Sequence, residues 1–295
     1  GSNEVEFSDI ITLTNSEFRF IVAEQIEEVN IRPGSILIEP YSKNTAPAIL
    51  AATLKIIEKD KDGVLIVTPS DHIVPDKKEF LKAIRVAKDI AEEGKLVTFG
   101  VKPTRPESGF GYLELADPIS KEPQDLLRFV EKPDKRSAES MLQSSRFLWN
   151  AGIFVFRASD MYLAFQKHCA DLIEPVTSSV VGAKKDLGFL RLAEEPWGRC
   201  SNVSIDYAVM EKAKNLSVVP FNGKWSDLGG WNAVWSEYGK DKSGVALSKN
   251  ATAVDCNNVL LRSESTQQEI VGVGLKDLIA VAMPDAVLVA AKDRD

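Results

Sequence analysis

Over its first hundred residues the chain alternates short β-branched runs with amphipathic stretches of helical length, and few folds accept that order. Residues 9–14, 35–39, 64–67 and 96–100 read as strands, and 16–28, 45–59 and 76–93 as helices. Runs without polar alternation belong to strands buried on both faces, which the interleaved helices would cover. The pattern predicts an α/β domain with a largely parallel sheet and ligands gathered at the carboxyl ends of its strands.

The middle of the chain changes character. Strands at 111–114, 127–131 and 153–156 are joined by irregular Pro- and Gly-containing connections, which predicts a mixed or antiparallel insertion. Helices should dominate 159–214, before a strand at 217–220. From Gly244 onward only short strands and turns are legible, so a domain boundary is expected near 242. The division predicted is 1–242 and a small β-rich, β-helix-like domain over 243–295.

Composition narrows the function classes. With 44% hydrophobic and 27% charged residues, the 295-residue chain has the profile of a globular protein with a full core. A net charge of −7 argues against nucleic acid as a partner, although a small phosphorylated ligand needs only a local cation. Cys169, Cys200 and Cys256 lack metal-ligand spacing and read as free thiols of a reducing compartment. No apolar run approaches the roughly 20 residues of a membrane span, so the cytoplasm is the default expectation and no membrane partner is expected.

Two carboxylates stand out. Asp71 in Thr68-Pro69-Ser70-Asp71-His72 follows an apolar strand, and Asp227 in Trp225-Ser226-Asp227-Leu228-Gly229-Gly230-Trp231 sits on a glycine turn. Each alone reads more readily as a cap or turn residue than as a ligand. Together, at strand ends far apart in sequence, they are what a Mg²⁺ bound to substrate phosphates requires. Phe129-Val130-Glu131-Lys132-Pro133 offers a cation for a phosphate and a carboxylate for a sugar hydroxyl, or a solvated surface pair. Trp149-Asn150-Ala151-Gly152 is a sugar-diol contact or a simple turn. Ser108-Gly109-Phe110-Gly111-Tyr112 opens no helix and is a weak phosphate signal. Asp206 sits at a helix start with Ser204 as cap and Tyr207 and Met210 directed at the core; it serves either the dipole or a ligand. In Glu39-Pro40-Tyr41-Ser42-Lys43-Asn44-Thr45-Ala46-Pro47, Thr45 is the expected N-cap.

In this order the motifs closely resemble the mannose-1-phosphate guanylyltransferases, the GDP-mannose pyrophosphorylases of the sugar nucleotidyltransferase family. The resemblance runs over nearly the whole chain, the strand around Pro284-Asp285-Ala286-Val287 included. It implies a nucleotide-diphospho-sugar transferase fold, Rossmann-like, with a mixed sheet and helices on both faces. It also implies that GTP and mannose 1-phosphate are converted to GDP-mannose and pyrophosphate. Carried over residue by residue, it makes Asp71 and Asp227 the Mg²⁺ ligands and Lys132 the contact to the sugar phosphate. Gly111, Glu131 and Asn150 match the sugar pocket, and Asp206 a further acid beside it. Glu39, Asn44, Thr45 and Ala46 match the wall around the nucleotide. Asp71, Lys132 and Asp227 would be the catalytic set, acting by positioning and electrostatics without a covalent intermediate.

The resemblance departs at the start. The family opens with a strand and a glycine-rich loop that wraps the triphosphate, but here the next glycine after Gly1 is Gly34, and Arg19 falls within a predicted helix. Loss of such a cation costs about 10²-fold or more in rate, so these residues alone are expected to catalyse poorly or not at all. Transfer from UTP, dTTP or CTP, or a silent nucleotide-sugar-binding role, remain alternatives. A homodimer is one assembly open to the chain.

Overall fold

The computed structural model describes residues 5–31 and 33–294. They pack as two compact units, one spanning Gly1–Pro69 and Pro75–Gly223, the other Ser70–Val74 and Lys224–Asp295.

The first unit begins β1 (Ile10–Asn15), α1 (Arg19–Glu28), β2 (Pro33–Glu39), α2 (Thr45–Ile57), β3 (Val64–Val67), α3 (Lys77–Glu92) and β4 (Leu96–Val101). It continues with β5 (Tyr112–Leu115), β6 (Gln124–Val130), α4 (Lys135–Gln143), β7 (Phe147–Arg157), α5 (Ala158–His168) and α6 (Ile173–Val181). Then follow β8 (Lys184–Asp186), β9 (Phe189–Arg191), α7 (Glu194–Gly198) and β10 (Leu216–Phe221). Local chemistry sets several boundaries. The Asn15 side chain accepts the N–H groups of Glu17 and Phe18, so α1 starts at Arg19 instead of 16. Asp76 caps α3 by accepting Glu79 N–H, and Asp134 caps α4 by accepting Ser137 N–H.

The expected parallel sheet is mixed. One sheet runs β1-β2-β9-β8 and another β3-β7-β4-β10-β6-β5. β1 pairs parallel with β2, and β4 with β10, yet β7 lies antiparallel between β3 and β4. An eleven-residue strand inserted from later in the chain cannot be foreseen from the neighbours of β3 and β4. The strand expected at 153–156 begins at Phe147, and the Trp149–Gly152 turn lies inside it as a bulge. Where Thr98 pairs with Phe154, Gly100 pairs with Asn150, so β7 carries extra residues and Gly152 takes φ 68°. The stretch 159–214, where helices were expected to dominate, is interrupted by the hairpin β8–β9. Its turn residues Leu187 and Gly188 both have positive φ, and a leucine hid the turn.

The main core gathers Leu37, Leu50, Leu65, Leu148, Phe156, Phe165 and Trp197, all buried, from strands, α2, α5 and α7. α3 packs Phe80 edge-on to Phe99 and Phe221, which stack on each other. Fully burying an aromatic or aliphatic side chain contributes about 1.5–3 kcal/mol, so these clusters hold the sheet rigid beneath the loops.

In the second unit, α8 (Trp231–Glu237) precedes β11 (Ala246–Leu247), β12 (Ala251–Val254), β13 (Asn257–Ser263), β14 (Ile270–Val273), β15 (Lys276–Ala282) and β16 (Val287–Ala291). Ala251 pairs in parallel with Ile270 and Asn257 with Lys276, the same offset in both, as in the coils of a β-helix. β16 closes the stack antiparallel to β15. Trp231, Val234, Trp235 and Tyr238 pack on Ala246, Leu260, Ile279 and Val281, so α8 shares the core of these strands, although it precedes residue 242.

Candidate functional site

The predicted residues fall into two groups, one in each unit. In the second unit, Ile73 and Ser226 exchange both backbone hydrogen bonds, at 2.8 and 3.0 Å. This antiparallel bridge brings the segment of Asp71 to that of Asp227. His72 and Trp225 meet edge-on with ring centroids 5.4 Å apart, and the indole N–H donates to His72 Nδ1 at 3.3 Å. Burial holds the imidazole below its ordinary pKa, against the opposing pull of the Asp71 and Asp227 charges.

The turn at Asp227 works differently from the sequence expectation. The left-handed residue is Leu228 (φ 48°), not a glycine, and its N–H is held by Ser226 Oγ at 3.3 Å. Gly229 matters sterically: a Cβ there would lie 2.6 Å from Asp227 Oδ2. Neither aspartate ends a strand, since β3 stops at Val67 and β10 at Phe221.

Neither carboxylate enters an ion pair among the described residues. No group of three or more His, Cys, Asp or Glu there is placed to hold a metal. Mg²⁺ is usually held by one or two protein carboxylates together with substrate phosphates and water, and two aspartates on bridged segments are a donor set of that kind.

The first unit gathers a cluster of polar side chains around Gly111. Lys132 N–H donates to Phe110 O at 3.2 Å, and Asn150 N–H to Gly111 O at 2.8 Å, which sets the expected phosphate contact and one expected sugar contact beside that glycine. A Cβ on Gly111 would lie 2.7 Å from Glu131 Oε2 and 3.0 Å from the Phe129 ring, so a larger residue there would have to displace the Glu131 carboxylate. Glu131 and Lys132 follow the last residue of β6 directly. Pro133 disfavours the right-handed helical region for Lys132, which here adopts φ 45°. The Lys132 ammonium is exposed and stands 3.8 Å from Glu131 Oε1, whose side chain is only 9% exposed.

Asn150 Nδ2 donates to Asp206 Oδ1 at 3.2 Å, which brings a fifth predicted residue into the cluster. Asp206 opens a one-turn helix, Asp206–Met210, where Ser204 Oγ accepts Tyr207 N–H. Met210 is buried as expected, but Tyr207 is 45% exposed and does not face the core. Burial raises the Asp206 pKa. Burial, then the charges of Asp206 and Glu211, push Glu131 up to about 7, with Lys132 pulling the other way. Glu211, unforeseen from the sequence, also accepts Glu131 N–H at 3.0 Å. Only its place in the motif that holds Asp206 could have signalled it.

The Glu131 shift has a stability consequence. Between the unfolded value of 4.5 and the folded value of about 7, the native state keeps a proton the unfolded chain has released. Stability from this group is therefore present below about pH 4.5 and lost as pH rises through 7. Glu131→Gln is expected to stabilise the protein by about 1–3 kcal/mol at pH 8, with the gain shrinking toward pH 5. Urea titrations at both pH values check this; an equal effect at both would contradict it.

The remaining predicted residues line the strand-to-helix connection. Glu39, half-buried, is raised to about 7 by desolvation alone. The helix cap is Asn44, not Thr45: Asn44 has φ 66° and its side chain accepts Thr45 N–H at 2.9 Å. Thr45 Oγ1 instead accepts Ile205 N–H at 2.9 Å, and Ala46 N–H donates to Val203 O at 3.1 Å. Ala46 is wholly buried. These two residues brace the segment that presents Asp206. No helix among the described residues is long and apolar enough to cross a membrane.

A family model described as nucleotidyl transferase matches residues 2–243. Among curated proteins, a mannose-1-phosphate guanylyltransferase of Salmonella montevideo is 40% identical over 98% of this chain, which spans 61% of that relative's length. A crystal structure of mannose-1-phosphate geranyltransferase from Thermus thermophilus aligns with TM-score 0.81 and 28% identity, over 96% of this chain and 80% of the other. One of mannose-6-phosphate isomerase from Helicobacter pylori aligns with TM-score 0.68 and 32% identity, over 74% and 85% respectively.

Proposed function

This chain belongs to the nucleotidyl transferase family, and from that premise we propose that it serves the synthesis of GDP-mannose and pyrophosphate from GTP and mannose 1-phosphate. The observation that carries the reading is the cluster around Gly111, where Glu131, Lys132, Asn150 and Asp206 converge from three separate stretches of chain. A cation beside carboxylates and an amide is the equipment for a sugar phosphate: charge for the phosphate, and hydrogen-bond acceptors and donors for the hydroxyls.

In this reading Lys132 neutralises the phosphate of mannose 1-phosphate and fixes its direction. Glu131, Asn150 and Asp206 hold the sugar, with Gly111 leaving room for it. Glu39 and Asn44–Ala46 belong to the nucleotide wall, with Thr45 and Ala46 contributing by bracing. Asp71 and Asp227 would hold Mg²⁺, which when bound supplies charge stabilisation to phosphate oxygens. The catalytic part would be 1–242, which takes in Asp227, with 243–295 as its β-rich companion, even though Lys224 onward packs with the β-rich strands; the protein is cytoplasmic, in keeping with three unpaired cysteines.

Calorimetry of the chain with GDP-mannose and with UDP-, dTDP- and CDP-sugars in the presence of Mg²⁺ tests the reading. GDP-mannose is expected to bind at least about 10-fold more tightly than the others, a margin of one or two hydrogen bonds to the base. Preference for another nucleotide would reassign the substrate.

A further inference from the structure

We propose that Thr98, which sits on a central strand behind the pocket, is a positioning residue that sets the orientation of the Asn150 side-chain amide. The inference rests on the reading of the Gly111 pocket as a sugar-phosphate site and adds a residue to its machinery. Thr98 is 1% exposed, and a buried hydroxyl on a central strand is costly unless partnered. Its Oγ1 donates to Asn150 Oδ1 at 2.8 Å, with Ile153 O as the other acceptor in reach at 3.2 Å.

The β7 bulge makes this meeting possible. It lets Asn150 drop opposite Gly100 while Thr98 pairs with Phe154, so hydroxyl and amide come together within one sheet. Gly152 N–H, turned by its positive φ, donates to the same Oδ1 at 3.1 Å. Two donors on one oxygen determine which end of the amide is which. Nδ2 must then point at Asp206 Oδ1, with its second N–H left for a ligand oxygen. With the amide reversed, an NH₂ would confront the N–H of Gly152 and an oxygen would confront a carboxylate.

Thr98→Val keeps the shape and removes one of the two donors; Thr98→Ser keeps the hydroxyl. In calorimetry, Thr98→Val is expected to weaken mannose 1-phosphate binding about fivefold, the worth of one neutral hydrogen bond, while Thr98→Ser binds like wild type. In ¹⁵N-correlated NMR spectra, Thr98→Val is expected to move the Asn150 side-chain NH₂ signals and speed their exchange with water, and Thr98→Ser to leave them. The signals are assigned by their loss in Asn150→Asp. Unmoved signals in Thr98→Val would overturn the inference, as would Thr98→Ser falling as far as Thr98→Val. Should Thr98→Val not fold, Thr98→Ala makes the same comparison. Failure of wild type to bind mannose 1-phosphate would refute the pocket's substrate, and the NMR comparison would still decide whether Thr98 orients Asn150.

Discussion

Asp227→Asn is expected to remove nearly all of the Mg²⁺ enhancement of GTP and GDP-mannose binding while leaving the melting temperature within a degree or two of wild type. The substitution preserves the outline of the side chain and deletes its charge. Asp227 takes part in no ion pair among the described residues, so no internal cation is orphaned by the change. The turn that presents it depends on the Ile73–Ser226 bridge and on Ser226 Oγ, none of which the substitution touches. With two protein carboxylates offered to a hard cation, halving the charge is worth on the order of 100-fold in divalent affinity. Calorimetry with and without Mg²⁺ measures the enhancement directly. An enhancement equal to that of wild type would take Asp227 out of the metal site. Gly229→Ala is a steric companion to this experiment, because its methyl would press on Asp227 Oδ2 without altering any charge.

Lys132→Ala should weaken mannose 1-phosphate binding by about 10- to 100-fold, the range of a charge-assisted contact to phosphate. Its effect on free mannose should be small, since that ligand carries no phosphate. The contrast between the two ligands separates a phosphate contact from a general disturbance of the pocket. Lys132 is exposed and its only ion pair among the described residues is with Glu131, so its stability contribution is minor. Removing it also takes away the one charge that favours ionised Glu131, so the Glu131 pKa should rise further in the variant. Equal losses for both ligands would assign Lys132 a structural role instead. Its left-handed backbone, fixed by the hydrogen bond to Phe110 O, is the kind of local strain found where a side chain must be aimed.

The element types were largely legible wherever a short apolar run or a helical period acted alone. β3, β4, α2 and α3 appear within a few residues of their expected places because burial and capping act locally on them. What failed was everything set by a partner distant in sequence. β7 looked like a four-residue strand because Asn150-Ala151-Gly152, where its register shifts, reads in sequence as a turn. α8 was missed because a seven-residue helix gains its stability from the β-rich strands it covers. Thr45 looked like a cap, yet a hydrogen bond to Ile205, far along the chain, claims its hydroxyl.

For the candidate site the boundary is similar. Taken one by one, Asp71, Glu131, Lys132, Asn150, Asp206 and Asp227 looked like caps, turns or surface pairs, and only the order of their motifs, through the family resemblance, pointed to phosphate, sugar and cation. Which of them meet was decided only by folding: the Ile73–Ser226 bridge joins the two aspartate segments, and the β7 bulge turns Asn150 toward Asp206. Proton affinity was likewise beyond a sequence reading, since packing strips water from Glu131 and Glu39 and, for Glu131, brings the charges of Asp206 and Glu211 close. Chemistry is a property of side chains and travels with the sequence. Distance and desolvation are properties of the packed chain.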